Sequence, residues 1–372
     1  IRYNFSFIDA DILGNIYEQY LGYLLKTTAK RVSGEESKAK RKEQGIYYTP
    51  RFIVDYIVKN TIGEKLKNCK TMAAVEELKI LDPACGSGSF LIRAFDEIYD
   101  FYAQKGWADK AFLTTEGHKS FETVKDRIIK NNIFGVDLDQ KAVEIAQLNL
   151  LLKTTDKKHK LPTLHENIKV GNSLINDLEV TKNSFNWSSE FGEIQRMGGF
   201  DVIIGNPPYI SWSEIEASER EYFSKGKYEG IEYSCRPNHK DAQPNYYLFF
   251  MLKAASLLKK DGTLAFIVPQ EWLFSNYSAD FRIGFTKLFD DIKVVKFNPN
   301  FKVFKSFNEV IGTSSLIIIL KKSGKRMITF QYSDASDENI VRQQLSSNTF
   351  NNQFSEKLDK FANSIWDIKE KD

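Results

Sequence analysis

The 372 residues are 42% apolar and 27% charged, with a net charge of +3. That balance describes a folded chain with room for one large core and an appendage, or for two domains, and excludes a disordered one. No stretch approaches the roughly 18 uninterrupted apolar residues of a membrane helix, and Asp9 and Asp11 stand where a secretory leader would have a basic end and an apolar block.

Residues 9–31 place Ile12, Ile16, Tyr20 and Leu24 at helical spacing, so an amphipathic helix is expected. VSGEESKAKRKEQG (32–45) is charged and poor in apolar residues; its KAKRKEQ stretch reads as solvated linker or as a phosphate contact. TPRFIVDYIVKNTI (49–62) predicts a second helix, with Thr49 at the N-cap and Pro50 at the first helical position. From residue 79 short apolar strands alternate with helices. The predicted strands are 79–82, 133–137, 200–206, 263–268, 292–297 and 314–320. The predicted helices start near Ser87, run through 118–131, follow an Asp139 cap, and cover about 244–259 and 276–290.

The fold class is therefore α/β, a doubly wound, mostly parallel Rossmann-like sheet with an N-terminal helical segment. We expect a helical segment over 1–65, a catalytic domain over 66–325 and a polar linker over 326–372. The chain begins at Ile1, so we expect it to be a piece of a longer polypeptide. Cys69, Cys85 and Cys235 are scattered, which fits a reducing compartment. Cys235 and His239 lie four apart, too few ligands for a zinc site, and no metal is expected.

DPACGSGSF (82–90) follows the first sheet strand. Gly86 and Gly88 permit a tight strand-to-helix turn and close approach of a ligand to backbone N–H groups. A dinucleotide fingerprint asks for a third glycine and an acid about 20 residues later. Position 91 is Leu, and the acid ending the next strand, Asp137, lies much farther on. A nucleoside without pyrophosphate fits better: Asp82 can hold a ligand ammonium and Asp137 the two ribose hydroxyls. That pairing describes S-adenosylmethionine. Asp137 can alternatively cap the helix after it.

IIGNPPYI (203–210) ends a strand on two prolines, neither with an N–H to donate. Alone it is a stiff turn. Beside a purine amine it becomes a clamp: the Asn206 side-chain oxygen and the Pro207 carbonyl accept both amine hydrogens, favour a pyramidal nitrogen and aim its lone pair at a methyl group. Pro207 and Pro208 hold those acceptors rigid. Tyr209 supplies a face for an extruded base. Asn is no general base, so the proton leaves for water after transfer.

GIYYTP (45–50), DPACGSGSF (82–90), FGVDLD (134–139), VGNSL (170–174), FDVIIGNPPY (200–209) and LLKKDGTLAFIVP (257–269) occur in one order. With them the chain, over roughly 9–320, resembles gamma-class N6-adenine DNA methyltransferases, in particular those of type IIG and related single-chain restriction–modification enzymes. The resemblance implies that Tyr47 and Thr49 close over the cofactor's methionine part. It gives Asp82 and Ala84 to the amino acid end, and Asp137 and Leu138 to ribose and adenine. Asn172 and Ser173 would lie beside the cofactor adenine, where many relatives carry Asp. Phe250 would pack on the cofactor. Phe304 would press on the flipped base, with Phe301 and Phe307 as competitors.

The resemblance implies transfer of a methyl group from S-adenosylmethionine to adenine N6 in duplex DNA after base flipping, as the modification part of a restriction–modification enzyme. The setting would be the cytoplasm of a bacterium or archaeon. A separate target-recognition domain, and in some such enzymes an upstream nuclease, would belong to the same polypeptide, so this fragment alone is expected to be weakly active or inactive. Alternatives are methylation of a protein glutamine amide, since NPPY occurs there too, and a silent DNA-binding subunit; the intact Asp82, Gly86, Gly88, Asp137 and Asn206 weigh against the latter. The segment 210–243, with Trp212, Tyr222, Phe223, Tyr228 and Tyr233 among basic residues, reads as a nucleic-acid-facing loop or as a plain surface loop.

Overall fold

The computed structural model describes residues 49–108, 111–113, 121–154, 164–235, 243–306, 309–310, 314–350, 352–361 and 366. The elements that position the site are, in chain order, α1 (Arg51–Val58), β1 (Ile80–Asp82), α2 (Ser89–Gln104), α3 (Val124–Asn132), β2 (Ile133–Asp137), α4 (Gln140–Thr154), β3 (Ile168–Val170) and β4 (Phe200–Gly205). They continue with α5 (Ala217–Phe223), α6 (Tyr246–Leu257), β5 (Leu258–Pro269), α7 (Ala279–Leu288), β6 (Asp291–Phe297), β7 (Ser315–Lys321), β8 (Met327–Ser333), α8 (Glu338–Ser347) and β9 (Asn352–Lys357).

Nine of these strands form one sheet in the order β9-β8-β6-β7-β5-β4-β1-β2-β3. The half holding β5, β4, β1, β2 and β3 is parallel throughout, and β7 runs antiparallel to both of its neighbours. Alternate residues of one strand enter opposite cores, as strand geometry requires. Leu81, Ile203, Leu264 and Phe266 face a core shared with α6 and α7, while Ile80, Val202, Ile204 and Ala265 face one shared with α1 through α4. Both faces are covered, which is why these strands read as unbroken apolar runs.

Three expectations need correction. Thr49 is not the cap of α1: Pro50 occupies the N-cap, with its carbonyl accepting from Ile53 N at 2.9 Å, and the first helical residue is Arg51. The described residues of 326–372 do not lead away as a linker. β8 pairs in parallel with β6 and β9 extends the edge, α8 packs Val341 and Leu345 into the core, and Trp366 sets its ring edge-on to Trp272 at 5.1 Å. The aromatic segment after Tyr209 is not a loop presenting rings to a ligand. Trp212 is buried in the core, and Phe223, Tyr228 and Tyr233 pack on Phe249, with Phe223 stacked on it at 4.1 Å. The expected helix over 9–31, the charged stretch 38–44, and His239 lie outside the described residues. Among the described residues no helix is long and apolar enough to cross a membrane, and no group of three metal-ligating side chains forms.

Candidate active site

Parallel strands end on the same side, so the topology gathers the ends of β4, β1, β2 and β3 along one rim. The register sets Asp82 opposite Gly135, two residues before Asp137, and sets Leu81 beside Ile203 of β4. From the end of β1 the chain turns through Pro83–Gly88 into α2. Gly86 (φ 51°) and Gly88 (φ 90°) take left-handed conformations that side chains disfavour. A Cβ at Gly88 would also lie 3.1 Å from the Ala146 Cβ, where α4 crosses. At Gly86 a Cβ would meet nothing within 4 Å, so the space in front of the turn is open.

Two carboxylates stand at the strand ends beside that turn. Asp82 is buried, and its Oδ1 accepts from Ala84 N at 3.0 Å. Burial pushes its carboxyl well above the usual range, the Ala84 N–H opposes that rise, and the Asp137 charge adds to it. Asp137 Oδ2 accepts from Gly86 N at 2.8 Å and its Oδ1 from Asp139 N at 2.9 Å. Burial raises Asp137 too, against these two N–H groups. Asp137 thus braces the glycine turn from the neighbouring strand, and its Oδ1 caps the Leu138–Asp139 turn that leads into α4. A carboxylate offers about four acceptor sites, so these two bonds leave room for further donors. Leu138 next to it is 53% exposed, an apolar surface at the rim.

The diproline corner begins one residue past β4. Gly205 approaches Asp82 so closely that a Cβ there would lie 2.6 Å from Asp82 Oδ1. Asn206 follows directly, half-buried, with its side-chain oxygen shielded from solvent. Pro207 is buried and Pro208 half-buried. Tyr209 is anchored by its hydroxyl, which donates to Ile267 O of β5 at 3.0 Å. Its ring lies 6.0 Å from Phe304 at 72° and 6.1 Å from Tyr247 at 73°. Of the three phenylalanines considered for this place, Phe304 is the one beside Tyr209. Phe301 packs on Phe297 and Phe52, and Phe307 lies outside the described residues.

The remaining residues divide. Thr49 is buried at the entry to α1, and Tyr47 lies outside the described residues. Ser173 is buried and its hydroxyl donates to Pro83 O at 2.6 Å, so it braces the glycine turn. Asn172 is buried at the end of β3: its Oδ1 accepts from Leu174 N at 3.0 Å and its Nδ2 donates to Glu219 Oε1 at 2.8 Å. Glu219 Oε2 accepts from the Tyr246 hydroxyl at 2.9 Å, and Tyr246 sets its ring 5.8 Å from Phe250. Sequence reading missed Glu219 and Tyr246: Glu219 meets Asn172 only once α5 has folded beside the turn after β3, and Tyr246 joins them from the start of α6.

Comparison with known proteins gives a consistent set of relatives. Residues 131–304 match the family model described as Eco57I restriction-modification methylase. The chain is 31% identical over 294 residues to the type II restriction enzyme and methyltransferase RM.Eco57I of Escherichia coli, covering 73% of this chain and 28% of that protein. It is 28% identical over 224 residues to the adenine-specific methyltransferase PglX of Streptomyces coelicolor, covering 52% of this chain and 17% of that one. Among solved structures, the cryoEM DrdV–DNA complex shares the fold at a TM-score of 0.64 and 21% identity, over 96% of this chain and 34% of DrdV. The chain thus spans well under half of each of these relatives. Over residues 131–304 it is similar to the Eco57I restriction-modification methylase family.

Proposed function

We propose that this chain transfers a methyl group from S-adenosylmethionine to the N6 amine of adenine in duplex DNA, as the modification part of a restriction–modification enzyme. The observation that carries the reading is the contact of Gly205 with Asp82, because it joins the Asn206 corner to the wall of the open space before the glycine turn. The residues present suit the cofactor. An open cradle at Gly86 is flanked by one carboxylate suited to an ammonium and another suited to a diol. When bound, the cofactor supplies an electrophilic methyl on a sulfonium.

The chain's own residues would do the rest. Asn206 and the Pro207 carbonyl hold the amine hydrogens, and the diproline keeps both acceptors aligned so that little reorganisation is needed during reaction. Tyr209 would take one face of the extruded base, a stacking contact worth about 1–3 kcal/mol, with Phe304 set edge-on to it. The two oxygen acceptors would hold the amine nitrogen in place through transfer, and the proton it then loses would pass to water. The glutamine-amide alternative has less support, since RM.Eco57I and PglX are named as restriction–modification and adenine-specific enzymes. Target recognition would fall to further parts of the same polypeptide, a reading supported by the 28% of RM.Eco57I that the chain spans.

The test is methylation of DNA by the full-length protein with labelled S-adenosylmethionine, followed by nucleoside analysis of the digest. Label in N6-methyladenine is expected. Label in a cytosine product, or in protein alone, would contradict the proposal.

A further inference from the structure

We propose that Tyr247 is a positioning residue for Tyr209, holding its ring at the angle that receives the extruded base; the inference rests on the base-flipping reading above. Tyr209 is fixed at three points. Its hydroxyl donates to Ile267 O of β5 at 3.0 Å. Its ring meets the Tyr247 ring at 6.1 Å and 73°. The carbonyl of the next residue, Ile210, accepts from Tyr246 N at 3.0 Å, which docks the first turn of α6 on the exit of the diproline corner. Two of these points come from the neighbours Tyr246 and Tyr247, so the start of α6 sets where the Tyr209 ring can lie.

Tyr247 is itself held. It is fully buried, and the Tyr277 hydroxyl lies beside its own. Burial pushes the Tyr247 phenol well above its usual range, and the Tyr277 group adds to the rise, so the ring stays neutral. Tyr277 stands on the segment between β5 and α7, and Arg282 ties that segment down. The buried Arg282 donates from Nη1 to Trp272 O at 2.6 Å, to Ser275 O at 2.9 Å and to Ser278 Oγ at 2.7 Å. The contacts close a circuit. Tyr209 reaches β5 through Ile267, β5 leads along the chain to Tyr277, Tyr277 lies against Tyr247, and Tyr247 returns to the Tyr209 ring. Near-perpendicular rings resist rotation, because the positive edge of one faces the negative face of the other. A stacking partner turned from its angle would misplace the base, and a misplaced reactant loses rate.

The experiment is a double-mutant cycle in the full-length protein, reading kcat/KM for transfer of labelled methyl from S-adenosylmethionine to unmodified bacteriophage DNA. Tyr247→Leu should lower it at least about fivefold, the scale of one aromatic edge contact. Tyr247→Phe keeps the ring and should stay within about twofold of wild type. Since Tyr247 acts through Tyr209, adding Tyr247→Leu to Tyr209→Ala should change the remaining activity by less than about twofold. A core-filling role would carry its whole cost into the Tyr209→Ala background, and that result would overturn the proposal. So would a Tyr247→Leu protein as active as wild type. Calorimetry with S-adenosylhomocysteine reports whether each variant is folded; should Tyr247→Leu fail to bind, Tyr247→Met carries the same two predictions. If wild type transfers no label to DNA, the base-flipping reading fails and this inference goes with it. If wild type transfers label and the cycle shows no coupling, this inference alone fails.

Discussion

Gly205 and Asp82 meet with no room for a methyl group between them: a Cβ on the glycine would sit 2.6 Å from the Asp82 carboxylate oxygen. This contact sets the distance between the turn that follows β1 and the diproline corner that follows β4. Gly205→Ala should therefore cost about 1–3 kcal/mol of stability through forced displacement. It should also weaken cofactor binding, because Asp82 is the group that must yield. Thermal unfolding and calorimetry on the purified variant check both.

Tyr209 divides into a ring and a hydroxyl with separable duties. Tyr209→Phe loses the bond to Ile267 O and should lose about 1 kcal/mol of stability while methyl transfer persists. Tyr209→Ala removes the stacking face and should lower kcat/KM about tenfold to a hundredfold. Steady-state methylation assays on the two variants separate these effects.

The acidic pair gives the site a pH signature. Burial raises Asp82 well above its ordinary 3.8. Between that value and the raised one, the native state keeps a proton that the unfolded chain has released, so stability falls as pH rises across the window. Asp137 shifts in the same direction for the same cause. A ligand ammonium beside Asp82 favours the carboxylate, so cofactor binding should release protons when it occurs within this window. Calorimetry in buffers of different ionisation enthalpy measures that release, and Asp82→Asn should reduce it.

The C-terminal strands are part of the fold rather than a tether. Trp366 is fully buried against Trp272, and its backbone N donates to Leu273 O at 2.8 Å. Trp366→Ala should cost about 3–5 kcal/mol, as for other buried aromatic truncations. A chemical denaturation curve would show a lower midpoint.

The parallel half of the sheet was legible because strands covered on both faces carry unbroken apolar runs: IFGVD and FDVIIG fall within a residue of their expected bounds. Strand β8, MITFQYS, escaped notice because it alternates, burying Ile328 and Phe330 while Thr329 stays partly exposed, in a region of otherwise polar composition. The aromatic segment misled for a related reason. Rings spaced among lysines look alike whether they face a ligand or a core, and only the packing of α5 onto α6 decides that. In the site, the glycine turn, Asp82, Asp137 and Asn206 announced themselves by residue type and order. Glu219 did not, since a lone glutamate in a charged helix acquires meaning only from the Asn172 amide 2.8 Å away.

The most direct test of the central claim is Asn206→Ala in the full-length protein, followed by both S-adenosylhomocysteine affinity and methyl transfer to DNA. The account predicts affinity within about threefold of wild type and a loss of transfer of at least about a hundredfold, the scale seen when one preorganised hydrogen-bond partner is removed from a reacting group. Transfer persisting at near wild-type rate, with the label in N6-methyladenine, would contradict it.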